Sequence, residues 1–143
     1  MQTSAAGRKL IEVFEGLRLT SYQDQRGIWT VGYGHTGDVY ANEIITQEDA
    51  DSLLAIDLHQ AEMAIYNDVI DPLNQNQFDA LVSLIYNIGA GNFKTSTVLR
   101  ELNAGDYASA ADAFLLWCKT NGVTNPGLLN RRKAEQALFL EPV

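Results

Sequence analysis

The stretch Phe14 to His35, FEGLRLTSYQDQRGIWTVGYGH, decides how the rest of the chain is read. It holds two carboxyls and a hydroxyl, Glu15, Asp24 and Thr30, spaced E-x8-D-x5-T, and closes on Gly-Tyr-Gly-His. Its periodicity changes at Gly16. Before it, Ala5, Ala6, Leu10, Ile11 (or Val13) and Phe14 recur at helical spacing behind a possible Thr3 or Ser4 cap. After it come short β-prone runs broken by turn residues. Glu15 is therefore expected in the last turn of a helix ended by Gly16, a position that commonly needs positive φ. Asp24 and Thr30 are expected on a small sheet or its turns. Two carboxyls on separate rigid elements can face a common cleft, the arrangement that acid/base hydrolysis of a glycoside requires. Phe14 and Leu17 beside Glu15, and the negative end of the helix dipole, both act to raise a carboxyl pKa, as a general acid needs.

This segment closely resembles the catalytic signature of the phage-type lysozymes, the muramidase endolysins with which tailed phages open bacterial walls (glycoside hydrolase family 24). The resemblance extends through FDALVSLIYNIGAGNF, GDYASAADAFLLW and LLNRRKAEQALF, and so covers nearly the whole chain. It implies the lysozyme-like α+β fold, a small three-stranded antiparallel sheet lobe and a mainly helical lobe with a cleft between them. It implies Glu15 as general acid, Asp24 as the carboxylate that activates or orients the water, Thr30 as the hydroxyl that holds that water, and an inverting outcome. It also implies that His35 pairs with Asp57, and that Arg131 lies behind Glu15 as its charge partner, with Arg132 as the alternative. An arginine there opposes the pKa shift argued above. Tyr22, Tyr33 and Asn87 are candidate sugar contacts, while Trp29 and Trp117 read better as core.

Outward from that stretch, the strands are expected at Leu17 to Tyr22, Ile28 to Tyr33 and Tyr40 to Ile45, with a turn at Asp24-Gln25-Arg26-Gly27. Such a sheet is too small to stand alone and must pack on helices. Thr46-Gln47-Glu48-Asp49 opens a helix in the manner of a capping box, running to about Asn67 as a spine between lobes. Asp71-Pro72 breaks it. Asn74 to Ile88 is apolar on more than one face, which predicts a buried central helix. Three shorter helices follow, at about Ser96 to Asn103, Asp106 to Cys118 and Pro126 to Leu140, with Asn121-Gly122 as punctuation. The expected organisation is one bilobed domain, 1–143, with the sheet lobe at about 16–46, a linking helix at about 47–67, and the helical lobe at about 1–15 and 68–143.

The 143 residues are 46% hydrophobic and 20% charged, a globular balance. No run approaches the roughly 20 apolar residues of a membrane span. The start MQTSAAGRKL lacks the apolar segment of a signal peptide, so synthesis in the bacterial cytoplasm and action at the wall, in the periplasm or outside, is the expectation. The single cysteine, Cys118, permits no intrachain disulfide and reads as a buried thiol. With two histidines, His35 and His59, no cluster has metal spacing; no metal or cofactor is expected, and His59 reads as a solvated helix residue. Net charge is −8, and no Lys or Arg occurs from Gly27 to Phe93, where ten acids lie between Asp38 and Asp79. That argues against nucleic acid or an anionic membrane as partner and sits poorly with a polyanionic wall. The expected partner is nonetheless peptidoglycan, approached as a monomer. Two rival readings remain: a lytic transglycosylase, which needs one acid and no water, and a non-catalytic wall-binding or toxin-like module. The presence of all three of Glu15, Asp24 and Thr30 argues against both.

Overall fold

The structure, a computed structural model, describes residues 1–143. Helix α1 spans Ala5–Glu15; the Ser4 hydroxyl caps it by accepting from the Gly7 amide, and Gly16, at φ +73°, ends it. The chain then enters an antiparallel sheet of β1 (Arg18–Gln23), β2 (Trp29–Gly32) and β3 (His35–Thr36), in that order. Tyr22 faces Thr30 across β1 and β2, and Val31 faces His35 across β2 and β3.

The third strand differs from the expected one. Tyr40 to Ile45 does not lie beside β2. A turn interrupts it, with Asn42 at φ +61° and the Glu43 amide bonded to the Tyr40 carbonyl. What remains reaches back to β1, through a Thr20–Ile44 bridge and the Ile45 amide donating to the Leu19 carbonyl at 2.9 Å. A two-residue strand, His35–Thr36, takes the place beside β2 because the Tyr33-Gly34 turn reverses the chain at once.

Helix α2 (Gln47–Asp68) begins at the expected capping box, with Thr46 and Asp49 each bonding the other's amide. Its buried residues Ala50, Leu54, Leu58, Ala61 and Ile65 form one stripe. Helix α3 (Gln75–Ile88) is central: every residue from Phe78 to Ile85 is buried, and α1, α2 and the last helix all pack on it. Further on, α4 (Ala90–Lys94) is an element the sequence did not announce. Helices α5 (Thr97–Asn103) and α6 (Tyr107–Ala113) begin one residue after their caps, Ser96 and Asp106.

The expected helix to Cys118 stops early. After Ala113 the chain tightens into a 3-10 turn, Phe114–Leu116, and Trp117 leaves helical geometry. A hairpin of β4 (Lys119–Thr120) and β5 (Val123–Thr124) follows, turning on Asn121 and Gly122, both at positive φ. Asn-Gly favours that turn, so the pair is a hairpin tip and not only a helix stop. Helix α7 (Pro126–Leu140) closes the fold, capped by Asn125, with Phe139 against Phe114 at 5.4 Å between ring centres. No helix is long and apolar enough to cross a membrane.

Candidate active site

A cleft of about 530 Å³ lies between the sheet and the helices, and Glu15, Asp24 and Thr30 all line it. Each arrives on a different support. Glu15 is the last residue of α1; Asp24 sits in the β1–β2 turn; Thr30 is in β2.

Asp24 is held by its own turn. The amides of Arg26 and Ile28 donate to its Oδ1 at 2.8 and 3.0 Å. Its Oδ2 meets only the exposed Arg26 guanidinium, at 3.4 Å. The Ile28 amide is the largest cause of a lowered pKa; partial burial opposes it, and the Arg26 amide and side chain add to it. Asp24 is thus an ionised carboxylate lining the cleft, with one oxygen pinned by two amides and the other paired only with an exposed guanidinium. Thr30 is buried and its hydroxyl donates to the Ile28 carbonyl at 3.0 Å. With its proton so committed, the oxygen is an acceptor toward the cleft.

Glu15 is approached from two sides. Arg131 of α7 donates from Nη1 to Glu15 Oε2 at 2.6 Å. Of the two arginines, Arg131 is the one in contact with Glu15, while Arg132 donates to the Asn87 side chain at 2.8 Å. From the sheet side the backbone at Gly34 comes so close that a Cβ there would lie 2.8 Å from Glu15 Oε1.

Behind Arg131 the charges continue inward. Arg131, Arg132 and Glu135 are all buried on α7, and Glu135 bonds the Ser83 hydroxyl. Burial pushes the Glu135 carboxyl up, against the pull of Arg132 and Arg131. The i, i+4 pair Arg131 and Glu135 was visible in the sequence, but nothing there showed that it faces inward. Tyr86 was also missed. It lines the cleft on α3, its hydroxyl donates to the Tyr33 carbonyl at 2.7 Å, and burial, then the Glu15 charge, push its pKa well up.

Of the candidate sugar contacts, Tyr22 and Asn87 line the cleft. Tyr33 does not. It is 8% exposed, part of the core, and its hydroxyl accepts from Gln47 at 3.1 Å. The reason is local: Gly32 at φ +69° breaks strand alternation, so Val31, Gly32 and Tyr33 are buried in succession. His35 Nδ1 lies 2.8 Å from Asp57 and its Nε2 lies 3.3 Å from Asp38. Burial disfavours the charged ring, yet the bonds to Asp57 and Asp38 outweigh it and raise the His35 pKa. His59 is exposed, 3.6 Å from Glu62, and Cys118 is buried.

Sequence and structure comparisons show which family the chain and its fold belong to. The family model for phage lysozyme matches residues 12–135. The endolysin of Salmonella phage P22 is 52% identical over 98% of this chain and 99% of its own. That of Acyrthosiphon pisum secondary endosymbiont phage 1 is 46% identical over 97% and 98%. Among solved structures, the muramidase domain of SpmX from Asticaccaulis excentricus superposes with a TM-score of 0.93 at 45% identity, over 99% of both chains. A P22 lysozyme variant gives 0.89 at 50%, again over 99% of both. The shared fold is the lysozyme α+β fold, and the chain belongs to the phage lysozyme family.

Proposed function

We propose that this cleft hydrolyses the β-1,4 bond between N-acetylmuramic acid and N-acetylglucosamine, within the peptidoglycan hydrolysis that characterises phage lysozymes and endolysins. The observation that carries it is the meeting of Glu15, Asp24 and Thr30 in one cleft. Glu15 gives its proton to the glycosidic oxygen as that bond breaks. A water attacks the anomeric carbon, pointing one hydrogen at Asp24 Oδ2, the oxygen that no backbone amide holds, and the other at the Thr30 hydroxyl oxygen. As the new bond forms, the water's proton passes to Asp24, and the sugar leaves with inverted configuration. The pinned oxygen of Asp24 supports this role, since a carboxylate held by two amides presents its other oxygen in a fixed direction. Tyr22 and Asn87 are positioned to touch sugar, and Arg131 to hold Glu15 between turnovers.

In this reading the chain is one bilobed domain acting as a monomer on the wall, after synthesis in the host cytoplasm. Digestion of purified peptidoglycan in ¹⁸O water, with mass spectrometry of the products, tests it. Wild type is expected to yield reducing muramic ends carrying one ¹⁸O. Glu15→Gln and Asp24→Asn are each expected to lose about 10²–10⁴-fold in kcat. Anhydro-muramic ends that persist in Asp24→Asn would replace the hydrolase with a transglycosylase.

A further inference from the structure

The buried charges behind Glu15 form a chain with a definite order. Arg131 reaches Glu15 through Nη1 at 2.6 Å and Glu135 through Nε at 3.2 Å, while its Nη2 donates to the Ser83 carbonyl at 3.2 Å. Arg132 Nε lies 2.8 Å from the other oxygen of Glu135, although the two are not aligned as a hydrogen bond. Arg132 and Glu135 are both 0% exposed. Nothing in the Glu15-x8-Asp24-x5-Thr30 pattern calls for a buried acid on α7, and two arginines could be neutralised more simply by being absent.

We propose that Glu135 is a positioning residue for the catalytic step: it shares the Arg131 guanidinium with Glu15, and so leaves Glu15 able to hold the proton it must deliver. This rests on the reading of Glu15 as general acid. The argument is a charge count. With both glutamates ionised, the two arginines and two carboxylates sum to zero. Protonating Glu15 then leaves one unbalanced cation in the cluster. Without the Glu135 charge, the same protonation leaves two, on arginines that are 4% and 0% exposed, where such imbalance is costly. Glu135 therefore makes the protonated state of Glu15 accessible, and it also fixes where Arg131 points.

Few other groups enter this balance. Arg131 of α7 and the Tyr86 phenol of α3 face Glu15, Arg132 acts on it from one step further in, and the turn at Gly34 brings only backbone. Around Glu135 lie Arg131 and Arg132 of its own helix and Ser83 of α3, with the Cys118 thiol near Arg132. Asp57 and Tyr22 act on Tyr86 and are one step removed. Glu135 is thus the only second carboxylate on Arg131.

The test is the pH profile of kcat/KM on peptidoglycan for wild type and Glu135→Gln. A general acid works only while protonated, so activity falls on the alkaline side as it titrates. In Glu135→Gln that alkaline limb is expected to move toward lower pH by about one unit, the low end for losing a like charge nearby. The activity of the variant relative to wild type then falls about tenfold between the acid plateau and pH values above both limbs. A loss that is uniform across pH, with the limb unmoved, would make Glu135 a structural ion partner and overturn the proposal. A measurement on wild type covers the case in which the variant does not fold. With ¹³Cδ-glutamate, the Glu135 signal must be that of a carboxylate at pH 7, and a carboxylic-acid signal overturns the proposal. Activity retained by Glu15→Gln would remove the catalytic reading instead. The ¹³C titration of Glu15 in Glu135→Gln would still report whether the charge is shared.

Discussion

At the scale of single residues, Gly34 is where backbone geometry and chemistry meet. Its φ is +84°, and a Cβ would sit 2.8 Å from the Glu15 carboxylate oxygen. Alanine there carries about 1–2 kcal/mol of left-handed strain. The clash itself is relieved cheaply, because the atom in the way ends a flexible side chain, but relief moves Glu15. Gly34→Ala is therefore expected to fold, to lose a few degrees in Tm, and to lose about 10²-fold or more in kcat, the usual effect of a misplacement of about 1 Å. Gly37, at φ +116° with nothing within 4 Å, supplies the control. Gly37→Ala should lose stability alone. Thermal unfolding and single-turnover rates of the two variants separate strain from displacement. If kcat of Gly34→Ala stays within threefold of wild type, the close approach has no catalytic consequence.

At the scale of elements, the start of α1 depends on a second close approach. A Cβ on Gly7 would lie 2.5 Å from Asp79 Cγ. Asp79 cannot step aside: it is 1% exposed on α3, it accepts from the Ser4 amide at 3.0 Å and from Gln75 at 2.8 Å, and it bonds the Ser4 hydroxyl. Propensity alone favours Gly7→Ala by about 1 kcal/mol. Forcing apart a buried, fully bonded carboxylate costs more, about 2–4 kcal/mol, so the substitution should lower stability. Urea denaturation of Gly7→Ala checks the sign; a raised midpoint would show that α1 can shift without loss. This contact also marks what the sequence could and could not show. Helices α1, α2 and α3 were legible because their apolar stripes and caps are local signals, α7 from its Asn-Pro start and the family resemblance, and the E-x8-D-x5-T spacing singled out Glu15, Asp24 and Thr30, which the fold brings to one cleft. The third strand, α4 and the β4–β5 hairpin were not. Two-residue strands carry no periodicity, and a five-residue helix after Gly89 is set by packing. Tyr33 lies in the core and not in the cleft because one positive φ at Gly32 breaks the strand there, and alternation alone does not reveal that. Tyr86 and Glu135 escaped for a related reason, since their significance lies in what other helices bring beside them.

At the scale of the whole molecule, the join between sheet and helices has a pH dependence of its own. His35 of β3 and Asp57 of α2 tie the two parts at 2.8 Å, with Asp38 on the other ring nitrogen. Burial works against the imidazolium, but the two carboxylates outweigh it and the His35 pKa is raised in the folded state. A raised folded value means that folding favours proton binding. The resulting stabilisation is fully present below the unfolded histidine pKa, about 6.5, and is lost as pH rises through the folded value. The protein's net charge of −8 acts in the same direction, since each bound proton relieves self-repulsion. His35→Gln is therefore expected to destabilise by about 1–3 kcal/mol at pH 5.5, the worth of a hydrogen bond to a charged group, seen as a Tm lower by about 3–10 °C. Once pH has passed the folded value the wild-type ring is neutral and keeps one ordinary hydrogen bond to Asp57, so the difference between the two proteins should shrink by half or more toward pH 9. Calorimetry of both at the two pH values reads this directly. A Tm difference that stays constant from pH 5.5 to 9 would mean that the contact works through packing and a neutral bond. The charge on His35 would then have no part in holding sheet to helix.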